Sequence, residues 1–478
     1  MKTNTVKLKA LNINLSERNL SILIHSLFSS WMLAFLFQGL IFQSLAIIYM
    51  YDFISMTLWG GTGIFLGLLL SGLFIKTKEA AKRLFLFSYM FFLLASVAFF
   101  FPPSIFWTIG IIISSLLSGG CVASWAFYLK SSTPKNKRIK SVADMLILSN
   151  IIMILLNMTA IHISPSVGLV LSMAMLFIAF ILSLKLPVNN SSSSFKPEVN
   201  KIQDVGKHLA FLYLFITIIT IDSGLMYYVI SPAFTHLEWL TSWYWAIPYV
   251  VALLIMRNLP CKVNREYILY VAIAMIGFSF IGFMIFDRSI LSYIVVNTLM
   301  LGAFGIYDLF WWSILGEMLD YDKNPAKILG IGLSANILGV LLGGLICNTV
   351  LSAKIDSPYP ALLAITVVFV TLILLPPLYR YISVLLKDNT FASTTSKLSV
   401  QNKIHIDRNT EFGILSEREC QVTALLLQGK TYRTIAKELH ISENTVKYYV
   451  KNIYSKFNIN SRAELIDIIL KKQSKSEI

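Results

Sequence analysis

The chain has 478 residues, 56% of them hydrophobic and 14% charged. Soluble domains carry about 25% charged residues, so a single soluble domain is excluded. The formal net charge of +15 points to nucleic acid, an anionic membrane surface, or both, and its distribution along the chain must decide.

The first twenty residues are polar and basic (Lys2, Lys7, Lys9, Arg18), and no small-residue cleavage site closes a short apolar run. The first span is therefore expected to act as an uncleaved insertion signal. Twelve apolar stretches follow, at roughly 22–43, 54–75, 84–101, 105–129, 142–163, 167–186, 208–230, 241–256, 267–286, 290–315, 328–350 and 361–386. Most are long enough to cross a bilayer as helices. The longest internal polar segment, PVNNSSSSFKPEVNKIQD at 187–204, divides them six and six. Cys121, Cys261, Cys347 and Cys420 share no metal-ligand spacing and read as buried or loop thiols.

Basic residues set the orientation, because cytoplasmic loops carry the excess of Lys and Arg. With the N-terminus inside, the loops on that side hold eighteen of them, such as Lys76, Lys78, Lys82 and Arg83 after the second span. The opposite loops hold Arg288 and Lys354. An even number of spans then puts both termini in the cytoplasm.

This six-plus-six layout with a central cytoplasmic loop resembles the major facilitator superfamily over about residues 20–386. The superfamily's G-x-x-x-D-R-x-G-R-R loop is eroded here. Gly72 is present and Lys82–Arg83 ends the loop, but Lys76 stands at the acidic position and the second glycine is missing. The resemblance implies that this loop helps control alternation between open states, so its decay suits a fold kept for binding rather than transport.

Polar residues at membrane depth mark candidate ligand contacts. A charge at the centre of a span costs roughly 2.5–3.5 kcal/mol on insertion scales, so it usually faces a cavity or a partner. Asp222 (IITIDSGLMYY) and Asp308 (GIYDLFWWSIL) lie well inside the seventh and tenth spans, and no Lys or Arg lies at comparable depth. Tyr227, Trp311 and Trp312 crowd the same region, with Tyr228, Trp239, Trp243, Trp245 and Tyr307. Aromatic faces with carboxylates suit an organic cation. Two other readings stay open: hydrogen bonds between neighbouring helices for the carboxylates, and an interfacial belt for the aromatics. Gln38, Gln43, Asn150, Asn157, Asn297 and Asn336 read as helix–helix contacts.

Composition changes after Leu386. Residues 387–412 are polar and rich in Ser and Thr, as a flexible tether would be. Helix grammar then returns. Ser416 with Glu419 forms a capping box, and Gly429 closes the helix it opens. Tyr432–Leu439 makes a short second helix, His440–Ile441 the turn, and Ser442 caps a third. Val446, Val450, Ile453 and Phe457 recur on one face of that helix, with Asn444, Lys447, Tyr448, Lys451 and Asn452 opposite. A basic face on the helix after a tight turn is what major-groove insertion requires. Ser461 and Glu464 open a fourth helix.

The residues LSERE at 415–419, IAKEL at 435–439, ISENTVK at 441–447 and RAEL at 462–465 resemble a LuxR-type helix-turn-helix, over about residues 412–472. The resemblance implies that Lys447, Tyr448 and Lys451 enter the major groove. Lysine can donate to guanine O6 and N7, with phosphate as the alternative contact. It implies phosphate or sugar contacts for Thr445, Asn452, Arg433 and Thr434, and places Asn444 on the same face. It also implies dimerisation through the last helix, about Ala463 to Leu470. Two positions depart from the family: Tyr449 replaces a common histidine and Thr434 a usual glutamate.

The expected fold is all-α: a twelve-helix transmembrane bundle over 1–386, a linker over 387–412, and a four-helix head over 413–478. The expected protein is a multi-pass regulator of the bacterial cytoplasmic membrane. It binds double-stranded DNA, contacts membrane lipid, and senses an unknown small molecule or a membrane condition. No catalytic constellation, cofactor motif or metal site is visible, so no enzyme activity is expected. A secondary transporter with a fused autoregulatory head is the alternative.

Overall fold

The computed structural model describes residues 5–8, 13–37, 39–51, 53–188, 205–259, 265–351, 359–378, 415–427, 430–459, 461–462 and 464–465. The chain divides into two compact units, Met1–Tyr379 and Arg380–Ile478. The expected linker, 387–412, lies outside the described residues.

The first unit opens with an antiparallel strand pair, β1 (Thr5–Leu8) and β2 (Ile13–Ser16), in which Thr5 faces Ser16. The sequence reading missed this short pair. The rest is helical. Among the described residues, twelve helices are long and apolar enough to cross a membrane: α1 (Glu17–Ile48), α2 (Met56–Phe74), α3 (Lys78–Phe100), α4 (Ile105–Ser132), α5 (Lys135–His162), α6 (Pro165–Leu184), α7 (Leu209–Ala233), α8 (Thr235–Arg257), α9 (Tyr267–Ile285), α10 (Ile290–Met318), α11 (Pro325–Cys347) and α12 (Tyr359–Leu378). Several begin before the apolar run that betrays them. Ser16 caps α1 by accepting from the Asn19 amide, and Thr77 caps α3 by accepting from Ala80. A capped amphipathic turn is thereby added to each apolar core.

The two half-bundles open with helices broken at similar depth. Met32–Leu36 in α1 and Met226–Ile230 in α7 are π-helical. Such bulges free backbone groups and are frequent at functional sites. Elsewhere bare backbones hold the helices together. A Cβ added to Gly67 (α2) would stand 2.0 Å from the Leu116 carbonyl oxygen (α4), and one on Gly224 (α7) 2.3 Å from that of Val340 (α11). Close approach of this kind replaces the hydrophobic drive that a bilayer cannot supply between helices. Large apolar side chains such as Phe87 and Leu94 (α3), Phe177 (α6), Phe278 (α9) and Ile373 (α12) point outward. They give the body the apolar girdle that hydrocarbon requires.

At the end bearing the basic loops, ion pairs join the first six spans to the last six. Arg138 (α5) donates to both carboxylate oxygens of Asp320 at 2.8 and 3.1 Å and to the Gly316 carbonyl at 2.9 Å. Asp144 (α5) receives Arg257 (α8) at 2.5 Å and Arg18 (α1) at 3.0 Å. Gly72, the surviving glycine of the eroded loop, is retained for packing. A Cβ there would meet the Lys327 Cα at 2.6 Å, and its carbonyl accepts from Asn324 at 2.7 Å. At the other end His162 (α5) and Ser242 (α8) bond at 3.2 Å.

In the second unit three helices are described: α13 (Glu417–Leu427), α14 (Tyr432–Glu438) and α15 (Glu443–Phe457). Val422, Leu426, Ile435, Val446, Val450, Ile453 and Leu465 form their buried core, with Phe457 and Leu439 packed on its edge. Gly429 lies outside the described residues, and α13 ends at Leu427. Of the expected fourth helix, only Ser461, Arg462, Glu464 and Leu465 are described, so the proposed dimer surface is largely outside them.

Candidate functional site

A half-open cavity of about 220 Å³ lies between the two halves of the first unit. Eight spans line it: α1, α2, α4, α5, α7, α8, α10 and α11. The spans α3, α6, α9 and α12 contribute nothing to it. Four of the five residues singled out in the sequence meet here: Asp308, Tyr227, Trp311 and Trp312. The fifth, Asp222, does not. It is 1% exposed and absent from the cavity wall, and its Oδ1 finds no hydrogen-bond partner among the described residues. Asp222, one of the two candidate carboxylates, thus stands outside this cavity. Position 222 falls on the side of α7 turned toward packing, one turn before the π-helical segment that brings Tyr227 to the cavity.

Asp308 is the only carboxylate on the described wall, and no lysine or arginine accompanies it. Its Oδ2 accepts a 2.7 Å hydrogen bond from the Tyr249 hydroxyl, which leaves Oδ1 without a bond among the described residues. The wall also carries His25, Ser29, Asn150, Ser223, Trp245, Tyr249 and Asn336. The sequence reading left His25 unassigned because it placed the first span at 22. The helix in fact starts at Glu17, which puts His25 more than two turns in from the helix start, where it stacks on Trp125 at 4.7 Å. Asn150 and Asn336, read as helix–helix contacts, face the cavity, whereas Asn297 does bridge helices through the Trp245 carbonyl at 3.2 Å. Trp239 is half exposed, as an interfacial aromatic would be, while Trp245 lines the cavity. Among the described residues no group of His, Cys, Asp or Glu could hold a metal ion.

The second unit is built to present one face of α15. The capping box is reciprocal: the Glu419 amide donates to Ser416 Oγ at 3.3 Å, and the Ser416 amide to Glu419 Oε2 at 2.6 Å. Glu419 also receives Lys456 at 2.6 Å, tying α13 to α15. Burial alone would raise its carboxyl, but the bonds from Lys456 and Ser416 outweigh burial and hold it below the usual carboxylate range. Thr431 caps α14, a cap the sequence reading missed, and Ser442 caps α15 through the Thr445 amide at 3.1 Å. His440 takes a left-handed turn conformation at φ 54°, which swings α15 across α14. Asn444, Lys447, Tyr448 and Lys451 are exposed on α15, with Thr445 and Asn452 at its margins, and Arg433 and Thr434 are exposed on α14. Lys447 has Glu443 one turn away at 3.9 Å, an exposed pair too weak to withhold it from another anion.

Residues 413–469 match the model for the bacterial regulatory proteins of the luxR family. The chain is 45% identical over 53 residues to the transcriptional regulatory protein DegU of Brevibacillus brevis, spanning 11% of this chain and 22% of that protein. It is 39% identical over 62 residues to the nitrate/nitrite response regulator NarP of Escherichia coli K12, spanning 13% and 29%. The chain thus covers less than a third of either relative's length. Over 76% of the chain the fold superposes with TM-score 0.57 on a bacterial homologue of the iron transporter ferroportin in an outward-facing state, at 16% identity and covering 98% of that chain. The major facilitator transporter FucP gives 0.53 over 75%, at 14% identity and 98% of its chain. Identities this low speak for the fold alone.

A facilitator-like membrane body carries a LuxR-type head. The cavity of the body lies between the two six-helix halves, and the exposed basic helix of the head is the second of its helix-turn-helix pair.

Proposed function

We propose that the protein is a one-component transcriptional regulator embedded in the bacterial cytoplasmic membrane. The body, 1–386, takes up a small molecule in its central cavity. The linker, 387–412, tethers the head, 413–478, on the cytoplasmic side, where α15 reads operator DNA. The observation that carries this reading is the exposed face of α15, with Lys447, Tyr448 and Lys451 on a helix-turn-helix frame. Lysines so placed neutralise phosphates or donate to guanine. The eighteen-to-two bias of basic loop residues supports both termini inside. Lipid surrounds the girdle, and the head pairs on two-fold half-sites.

Signalling of this kind needs a body with two arrangements that a ligand tells apart. The ion pairs Arg138–Asp320 and Asp144–Arg257 join the halves at the loop-rich end, so parting them is the natural second arrangement. Chromatin-type immunoprecipitation of the full chain should recover a small set of promoters, with occupancy lost in the Lys447→Ala/Lys451→Ala double variant. Uniform recovery of DNA by both proteins would defeat the reading. A secondary transporter with an autoregulatory head is favoured only by the intact cavity, and gradient-dependent uptake into vesicles would establish it.

A further inference from the structure

We infer that the cavity of the membrane body is a site for a small organic monocation, specifically a protonated amine on a single ring or comparable apolar body that also bears a hydroxyl or carbonyl oxygen. This deepens the reading of the cavity as the regulator's input site.

Charge sets the first term. Asp308 is the only formally charged side chain among the aspartates, glutamates, lysines and arginines of the described wall, and Oδ1 is left over after Tyr249 has satisfied Oδ2. An ammonium N–H would complete that carboxylate. An organic anion would set a second negative charge beside it with no lysine or arginine to offset the pair, in surroundings that screen poorly.

Shape sets the second. Tyr227, Trp245, Trp311, Trp312 and Phe304 supply aromatic faces around the carboxylate, and aromatic faces attract cations. An apolar cavity of about 150 Å³ holds one benzene. At about 220 Å³ this one has room for a ring and a short side chain.

Polarity sets the third. Asn336, Ser29 and Ser223 line the same space, and among the described residues their side chains make no hydrogen bond. Trp312 Nε1 and the Tyr227 hydroxyl are likewise without one. All five can donate, and Trp312 can do nothing else, so an acceptor oxygen on the ligand would match them. A bare hydrocarbon amine would leave them unmatched.

The test uses the purified full-length protein in nanodiscs and four probes of similar size: tyramine, 2-phenylethylamine, 4-ethylphenol and 4-hydroxyphenylacetate. Calorimetry and thermal shift should rank tyramine first and 2-phenylethylamine second, with the neutral phenol weaker and the anion unbound. Asp308→Asn should weaken tyramine at least tenfold, while Asp222→Asn, outside the cavity, stays within twofold of the parent. Equal or tighter binding of 4-hydroxyphenylacetate, or tyramine binding unchanged in Asp308→Asn, would overturn the inference, as would silence of both amines at millimolar concentration. The probe series needs no variant, so the inference remains open to refutation if Asp308→Asn does not fold. No DNA enters the measurement. Failure of the amines removes the ligand class and leaves the regulator reading to its own promoter test.

Discussion

At the scale of single residues, the two intramembrane carboxylates behave differently, and only the structure separates them. Asp308 has a phenol donor and a cavity, whereas Asp222 is enclosed with an oxygen unmatched. The amide is isosteric and neutral, and an enclosed side chain of either kind leaves a polar atom to be matched. Asp222→Asn should therefore be tolerated, shifting the stability of the body by no more than about 1 kcal/mol. A clear fall would mean that the carboxylate is held by a partner. In the head, Glu419 has its pKa depressed in the folded state, so its contribution is present above the unfolded value of about 4.5 and is lost as pH falls through the folded one. Hydrogen exchange in α13 of the full chain should therefore quicken as pH drops from 5 toward 3, after correction for intrinsic rates. In Glu419→Gln protection should already be lower by about 1–2 kcal/mol at neutral pH, with a flatter pH response. Equal pH slopes in both proteins would count against the linkage.

At the scale of elements, periodicity and caps made the head legible and the cavity only partly so. Ser416–Glu419, Ser442 and the Val446–Val450–Ile453 stripe are local signals, and each stands where the sequence put it. Lys447→Ala or Lys451→Ala should cost about 1–3 kcal/mol of operator affinity if the contact is to a base. Loss spread evenly over all sequences, with a salt slope smaller by about one, would identify a phosphate contact instead. In the body, helix existence was plain from apolar length, but helix phase was not. A span that is apolar all round gives no moment to say which side faces a cavity. Hence Asn150 and Asn336 were read as packing residues, and His25 was lost to a misplaced helix start. The crossing of α2 on α4 at Gly67 could not be seen in one sequence either. Gly67→Leu would drive a side chain into the Leu116 carbonyl, and it should abolish folded protein in the membrane as judged by detergent size exclusion.

At the scale of the whole molecule, the six-plus-six division, the basic-loop bias and the change of composition after Leu386 are all visible in the sequence. Sharing of the cavity by both halves was not, since it depends on bringing residues more than a hundred positions apart, such as Ser29 and Tyr227, to one space. Protease added to inside-out vesicles should release the head, and protease added to intact spheroplasts should not. Release from spheroplasts would put the head on the wrong side for reading DNA.

The α2–α11 contact carries a mechanical consequence. A Cβ on Gly330 would lie 2.4 Å from the Leu68 carbonyl oxygen, so the two half-bundles touch there main chain to main chain. Only the small side chains of Ser71 and Ala123 stand beside that spot, so it can serve as a fulcrum on which one block rocks over the other. A slight tightening around a bound molecule would then be lengthened, with distance from the pivot, into a larger swing at the membrane surface.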